Sequence, residues 1–240
     1  MSARALDARR RQRLALFGGC VVALATVMGP ADDIADHVFV AHMLQHEVLI
    51  AVAAPLVASG RPLLALLRAV PRARRIAVSL GRWPAGTALT RALRRPSLAC
   101  LLHGAAIWLW HVPAAFDAAL AHPAIHVLQH ASFFGTGVLF WSAVIHPRRP
   151  RDLGRSIIYL FVTAVHTGVL GALLVVAPSP WYHAYASGGI SFGLTLIEDQ
   201  QLAGLVMWIP AGFLYLVAAL LTARRWLVAA QSLYPEIERP

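Results

Sequence analysis

The chain has 240 residues, of which 58% are hydrophobic and only 13% are charged, and its mean hydropathy is +0.63. A soluble domain of this length is excluded, because about a quarter of the residues in such domains are charged. The net charge of +10 does not indicate a nucleic-acid partner, since all 21 basic residues are arginines in four blocks between apolar runs. Cys20 and Cys100 lie inside apolar runs without a CxxC motif, so neither a disulfide framework nor a thiol metal site is indicated.

Apolar runs near the length of a bilayer span predict an all-α fold, a polytopic membrane helix bundle of about six transmembrane helices in a single domain, 1–240. The predicted spans are residues 14–30, 38–59, 97–111, 124–145, 156–177 and 199–221. The first run is short for a span, so it is either a helix that stays in the bilayer or a signal peptide, and we favour the uncleaved helix. Residues 114–123 are predicted to form a short loop.

Residues 61–95 separate the second and third spans and carry nine arginines among Leu, Ala, Val and Trp83. This segment is too charged to cross a bilayer. It predicts one or two amphipathic pieces that lie on the anionic cytoplasmic surface of the lipid. The alternative is a solvated basic loop.

The arginines also predict the orientation of the bundle. Successive loops along the chain hold 5, 0, 9, 0, 4, 0 and 3 arginines. The positive-inside rule therefore places both termini in the cytoplasm and makes spans two, four and six run inward. The outer loops carry the aspartates Asp32, Asp33, Asp36 and Asp117.

Two nearly identical pentapeptides open the second and fourth spans. They are His42-Met43-Leu44-Gln45-His46 and His126-Val127-Leu128-Gln129-His130. Positions i and i+4 share one helix face about 6 Å apart along the axis, so each copy places two imidazoles on one stripe. Since both spans run inward, the two pairs are predicted to lie at the same depth in the outer half of the bilayer. Polar groups at that depth must face protein, water or a ligand.

We predict that these histidines hold a metal. The proposed ligands are His42, His46, His126 and His130, with His111 and Asp199 at the same level. Copper is the favoured ion, because it binds imidazole and stands at the top of the divalent affinity order. Haem is the alternative, since facing histidines on two spans hold membrane haems.

Other polar residues are given lesser roles. Gln45 and Gln129 share the histidine faces and are predicted to orient the rings from outside the ligand set. Met43 lies about 100° round the helix from His42, and Met207 lies deeper, so neither is counted as a ligand. The isolated His103 and His166 are interpreted as interhelical hydrogen-bonding groups.

Two classes of enzyme have motifs that resemble the histidine pentapeptides. His42-x-x-Gln45-His46 resembles an inverted zinc-protease motif, but glutamine replaces the glutamate that acts as base. Membrane desaturases resemble the chain in their HxxxH boxes, but they need a further box of adjacent histidines facing the cytosol. The sequence has no such box, so no enzyme activity is expected.

At these residues the chain resembles a known family. The shared motifs are the two pentapeptides, Ala53-Ala-Pro55-Leu, Gly60-Arg-Pro62, Trp110-His-Val-Pro113, Phe116-Asp-Ala-Ala-Leu120, Ala131-Ser-Phe133, Leu139-Phe-Trp141, Glu198-Asp-Gln-Gln-Leu-Ala-Gly204 and Met207-Trp-Ile-Pro210. From about Ala41 to Leu216 the chain is similar to the multi-span CtaG family, caa3-type cytochrome c oxidase assembly factors. The resemblance implies a multi-pass protein of the bacterial inner (plasma) membrane, with oxidase subunits as partners and maturation of the oxidase copper centres as its role.

Three functions stay open from the sequence. The leading hypothesis is an assembly factor that holds or passes copper; the others are a haem-binding electron carrier and a metal-free scaffold for oxidase subunits. Glu47 stands inside the bilayer where the family pattern predicts an apolar residue. It is either an extra ligand or proton partner, or it faces a neighbouring protein.

Overall fold

The computed structural model describes residues 3–80, 82–93, 95–149, 152–182, 184–185 and 193–231. Within these ranges the chain is an all-α bundle, as predicted, and no strand is present. The helices are α1 Ala3–Thr26, α2 Pro30–Ala35, α3 Phe39–Glu47, a π-helix Val48–Ala53, α4 Ala54–Ser59, α5 Pro62–Ala69, α6 Pro71–Leu80, α7 Pro84–Leu93, α8 Pro96–Trp110, α9 Pro113–Ala121, α10 Pro123–Ile145, α11 Asp152–Val176 and α12 Leu196–Gln231.

Four helical segments in the described ranges are long and apolar enough to cross a membrane. They are Phe39–Ser59, which joins α3, the π-helix and α4, together with α10, α11 and α12. A fifth span results if α8 and α9, which are bent by 76° at their junction, count as one. The predicted number of six needs α1 as well, whose first half carries arginines, so six spans and cytoplasmic termini stay predictions. Arg239, one of the tail arginines behind that orientation, lies outside the described residues.

Helix α1 packs closely on α4, whether or not it spans. A Cβ atom on Gly19 would lie 2.7 Å from a methyl of Val57, and one on Gly60 would lie 2.6 Å from the Leu16 Cβ. Distances this short require glycine at both positions. The first apolar run is therefore an integral part of the bundle packing.

The basic segment 61–95 forms three short helices, α5 to α7, each with proline in its first turn, where the missing N–H costs nothing. No residue of α5 or α6 is buried. Leu63, Ile76 and Trp83 are exposed beside the arginines. Apolar and basic side chains are thus exposed together along these helices, and an amphipathic segment in contact with anionic lipid stays a prediction.

The prediction that residues 114–123 form a short loop was wrong, because most of this stretch is helix α9. Its sequence is rich in alanine, the best helix former, and Pro113 starts the helix from an extended Val112. Phe116 and Ala119 are completely buried. The chain therefore turns sharply after Trp110 and returns towards the bundle beside the histidine motifs.

Helices α11 and α12 are in closest contact at two glycines, one on each helix. A Cβ on Gly171 would lie 2.7 Å from the Gly204 carbonyl oxygen, and one on Gly204 would lie 2.6 Å from the Gly171 carbonyl oxygen. Small residues let helix backbones approach this closely in membranes, where packing replaces the hydrophobic effect between helices. This crossing fixes the start of α12 against the rest of the bundle.

One carbonyl of the π-helix in the second span accepts its hydrogen bond from another helix. The Ala54 N–H reaches back five residues to the Leu49 carbonyl. In the same register the Ile50 carbonyl would need the N–H of residue 55, which is a proline and has none. Trp141 on α10 donates its indole N–H to the Ile50 carbonyl at 2.8 Å instead. A tertiary hydrogen bond thus satisfies the carbonyl that Pro55 leaves open.

We expect Trp141→Phe to lower the free energy of unfolding by about 1–3 kcal/mol, because the buried Ile50 carbonyl would lose its donor. Unfolding in mixed micelles of increasing SDS fraction measures the change. Trp83→Phe, at a residue that is 68% exposed, serves as the control and should be neutral. Equal stability of the two variants would show that this hydrogen bond does not hold the π-helix.

Candidate metal site

The twin pentapeptides converge, as the sequence predicted. The His42 and His46 ring centroids are 4.4 Å apart, and those of His126 and His130 are 4.3 Å apart. Across the two spans, His46 lies 5.1 Å from His130, and His42 lies 5.2 Å from His126. Four imidazoles from α3 and α10 therefore form one cluster, here called the histidine cluster.

Three rings of the histidine cluster bring ring nitrogens close to one another. One ring nitrogen from each of His42, His46 and His130 lies within 4.8 Å of the other two. Two imidazole nitrogens on one metal are at most about 4 Å apart, because each metal–nitrogen bond is about 2 Å long. The three nitrogens are therefore within about 1 Å of the spacing that a shared ion requires. This trio is the only such group of histidine, cysteine and carboxylate side chains found in the described ranges.

Two further histidines stand beside this trio: His126, the fourth member of the cluster, and His111. His126 stacks on His42, with an interplanar angle of 20°, and is the most exposed ring of the cluster. His111, at the end of α8, has its ring centroid 6.3 Å from that of His46. The Nδ1 of His111 donates to the Ile107 carbonyl at 2.6 Å, which leaves Nε2 as a lone-pair acceptor. A backbone partner of this kind commonly fixes the tautomer of a metal-binding histidine.

The histidine cluster and His111 are largely buried, yet many of their ring nitrogens have no hydrogen-bond partner among the described residues. His42, His46 and His111 are at most 4% exposed. Both ring nitrogens of His42 and His46, and Nε2 of His111, His126 and His130, have no hydrogen-bond partner among the described residues. Buried polar atoms are nearly always paired, so this concentration of unpaired nitrogens needs a reason. A bound cation with water or protein ligands would supply the missing partners.

Asp199 does not join the histidines. Its two carboxylate oxygens accept the backbone N–H groups of Phe39 and Val40, both at 2.8 Å. These amides open α3, whose own sequence supplies no capping side chain. Asp199 therefore caps the helix that carries His42 and His46, and its effect on the cluster is to position that helix.

We expect Asp199→Asn to lower the free energy of unfolding by about 2 kcal/mol, because an amide cannot accept both N–H groups and the charge is lost. Asp33→Asn, at an exposed aspartate on the same side of the bundle, should cost less than about 1 kcal/mol. SDS-driven unfolding of the two variants checks the difference. A wild-type unfolding curve for Asp199→Asn would contradict the capping role.

The two glutamines also differ from the prediction that they orient the rings. Gln45 donates to the Thr26 carbonyl at 2.7 Å and to Asp32 at 2.9 Å, so it ties α3 to the α1–α2 connection. The side chain of Gln129 is completely buried, and neither its oxygen nor its nitrogen has a hydrogen-bond partner among the described residues. No hydrogen bond joins either glutamine to an imidazole within the described ranges.

Aromatic side chains that the sequence did not point to cover one side of the cluster. Phe116 of α9 lies 5.2 Å from His42 and 4.2 Å from Tyr182, measured between ring centroids. Tyr182 donates its hydroxyl to the His111 carbonyl, and Tyr185 donates to the Ala35 carbonyl. Burial first, and then the Asp117 carboxylate, raise the pKa of Tyr182, so its hydroxyl stays a donor at neutral pH. His183, predicted in this outer loop, lies outside the described residues.

The isolated histidines behave as interhelical links. His103 is completely buried and donates Nδ1 to the Thr136 hydroxyl at 3.1 Å, since the Thr136 proton goes to the Ser132 carbonyl. His166 accepts from the Trp108 indole at 3.3 Å. These bonds join α8 to α10 and α8 to α11, which agrees with the structural interpretation of both residues.

One known protein family accounts for nearly the whole chain. The family model described as cytochrome c oxidase caa3 assembly factor (Caa3_CtaG) matches residues 1–229. No curated protein and no solved structure matches the chain. The family match covers nearly the whole sequence, including all five histidines around the candidate site. The chain therefore belongs to the Caa3_CtaG family of cytochrome c oxidase caa3 assembly factors.

Proposed function

We propose that this assembly factor binds copper at the histidine cluster, from the outer side of the bacterial plasma membrane, and supplies it during maturation of the oxidase. The observation that carries the proposal is the convergence of His42, His46 and His130, whose ring nitrogens lie within 4.8 Å of one another. Imidazole nitrogens suit copper, and the role needs no turnover chemistry.

The surroundings of the cluster favour an ion over haem. Phe116 and Phe133 pack directly on the imidazoles, with ring centroids 5.2 Å from His42 and 4.6 Å from His46, respectively. The five histidine rings are themselves only about one ring width apart. A porphyrin needs a flat slot between its axial ligands, whereas a single ion needs small ring movements only.

Charge also favours a cation at this end of the bundle. The outer loops carry aspartates and no arginine. Asp32 lies near enough to His130 to act on it electrostatically. Acidic groups around a site raise the local concentration of cations and speed their capture. The arginine-rich helices at the opposite end lie on the anionic inner leaflet and keep the cluster facing outward.

The test is metal analysis of the full-length protein purified in detergent. We expect copper near one equivalent at the cluster, no haem Soret band, and loss of that copper in the triple variant His42→Ala, His46→Ala, His130→Ala. The control replaces the exposed His37 and His122 by alanine and should keep its copper. Cells that carry the triple variant should hold a normal amount of the protein but produce oxidase with less copper and less activity.

Two outcomes would overturn the proposal. A Soret band that disappears with the same three histidines would assign the site to haem. Full oxidase activity and copper content with the triple variant would leave a scaffold that docks oxidase subunits without a metal.

A further inference from the structure

A cavity lies beside the histidine cluster, on its inner side. It is enclosed by the second span, α8, α11 and α12 and has room for about one water molecule. The side chains that matter for its chemistry are Met43, His46, Glu47, His111, Met207 and Tyr215. We call this space the inner cavity. It holds two thioethers, two imidazoles, one carboxyl group and one phenol.

Helix geometry explains why these groups meet. Met43, His46, Glu47 and Ile50 follow the i, i+3, i+4, i+7 pattern of one helix face, and all four line the inner cavity. His46 also lies on the His42 stripe, so it belongs to both sites. The π-helix begins at the residue after Glu47. Such wide turns occur frequently at functional sites in helices.

Three polar side chains that line the inner cavity are buried and carry atoms without a hydrogen-bond partner. His46 is 3% exposed, His111 4% and Tyr215 1%. Both nitrogens of His46, Nε2 of His111 and the Tyr215 hydroxyl have no hydrogen-bond partner among the described residues. The unpaired atoms come from three different helices and line one space. An ion in that space would supply a ligand contact to each imidazole.

We propose that the inner cavity is a second metal site, selective for Cu⁺, which shares His46 with the histidine cluster and adds His111 as a ligand of its own. Thioether sulfur is a soft ligand that selects Cu⁺ over harder divalent ions, and Met43 and Met207 supply two of them. The Glu47 carboxylate balances the single positive charge, which is costly to leave uncompensated inside a membrane. The proposal deepens the proposed function and rests on it for the identity of the metal.

The sharing of His46 has a direct consequence for transfer. An ion can move from the histidine cluster to the inner cavity while His46 stays bound, exchanging the other imidazoles of the trio for thioethers. The step is written for copper that reaches the cluster already as Cu⁺, so its oxidation state does not change and no reductant is needed. The inner cavity would then hold copper away from outer water until release.

The experiment uses Ag⁺, a soft monovalent ion that does not change oxidation state, and Zn²⁺ as the probe of the histidine cluster. Both are titrated by calorimetry into the full-length protein in detergent. We expect two Ag⁺ and one Zn²⁺ per chain. The variant Met43→Leu, Met207→Leu, which conserves side-chain volume, should lose one Ag⁺ equivalent and keep Zn²⁺. Met28→Leu, at an exposed methionine, is the matched control and should bind as the wild type.

A second measurement separates ligand loss from misfolding. X-ray absorption of the Cu⁺-loaded protein should show sulfur neighbours that disappear in the double leucine variant, and Glu47→Gln should weaken the same equivalent at least tenfold. Unchanged binding of two Ag⁺ by the double leucine variant, or absorption without sulfur, would overturn the inner site. Failure of the wild type to bind Zn²⁺ or copper at the histidines, with a methionine-dependent Ag⁺ retained, would overturn the proposed function alone.

Discussion

His46→Ala is expected to weaken copper binding by at least about 100-fold, a larger loss than any other single histidine gives. His46 faces His42, His130 and His111, with ring centroids 4.4, 5.1 and 6.3 Å away. It is also the one member of the ligand trio that lines the inner cavity. Removing it therefore breaks both sets of ligands at once.

His126→Ala provides the matched comparison on the other span. His126 stacks on His42 but is not part of the trio, so its loss should weaken copper binding by about tenfold. Competition titrations with a chromogenic copper chelator measure both variants, and the exposed His37→Ala should bind as the wild type. An equal loss for His126→Ala and His46→Ala would mean that the two pentapeptides contribute equally, contrary to the geometry.

Gly204→Ala is expected to give the largest loss of stability, at least about 3 kcal/mol in the free energy of unfolding. The added methyl would lie 2.6 Å from the Gly171 carbonyl oxygen and 2.9 Å from a Val175 methyl. The near neighbour is backbone, which cannot turn aside as a flexible side chain can, so α11 and α12 must separate. Asp199 and Met207 are on the same helix and would move with it.

Gly212→Ala is the control on the same helix. A Cβ at Gly212 meets nothing within 4 Å, so the higher helix propensity of alanine should leave stability unchanged or raise it by up to about 1 kcal/mol. SDS-driven unfolding and the yield of folded protein after solubilisation measure both variants. Wild-type stability of Gly204→Ala would show that the crossing tolerates wider spacing.

The meeting of the twin pentapeptides was predictable for two reasons. Helix periodicity places residues i and i+4 on one face, and the arginine distribution predicts that both helices enter the membrane from the same side. The role of Asp199 was not predictable, because depth in the membrane does not tell which neighbour a carboxylate contacts. Its partners, the amides of Phe39 and Val40, belong to a helix about 160 residues away in sequence. Only the packing of α12 against α3 brings them together.

The inner cavity shows a second limit of the sequence. The sequence analysis compared Met43 only with His42, which lies about 100° away, whereas in the structure Met43 and His46 line the same cavity. The π-helix was equally hidden, because its bond between Trp141 and the Ile50 carbonyl joins residues that are far apart in sequence. The turn into α9 was missed because Trp110 to Pro113 has the composition of a span end, and only burial of Phe116 shows the return.

Exposure of the rings increases from one side of the cluster to the other. His42 is completely buried beneath Phe116 and Tyr185, His130 is 9% exposed, and His126 is more exposed still. An arriving copper donor, or an oxidase subunit collecting the ion, would therefore have to approach along α10 and meet His126 first. Under the proposed function, His126 would therefore control how fast copper enters and leaves, in addition to its smaller contribution to how tightly copper is held.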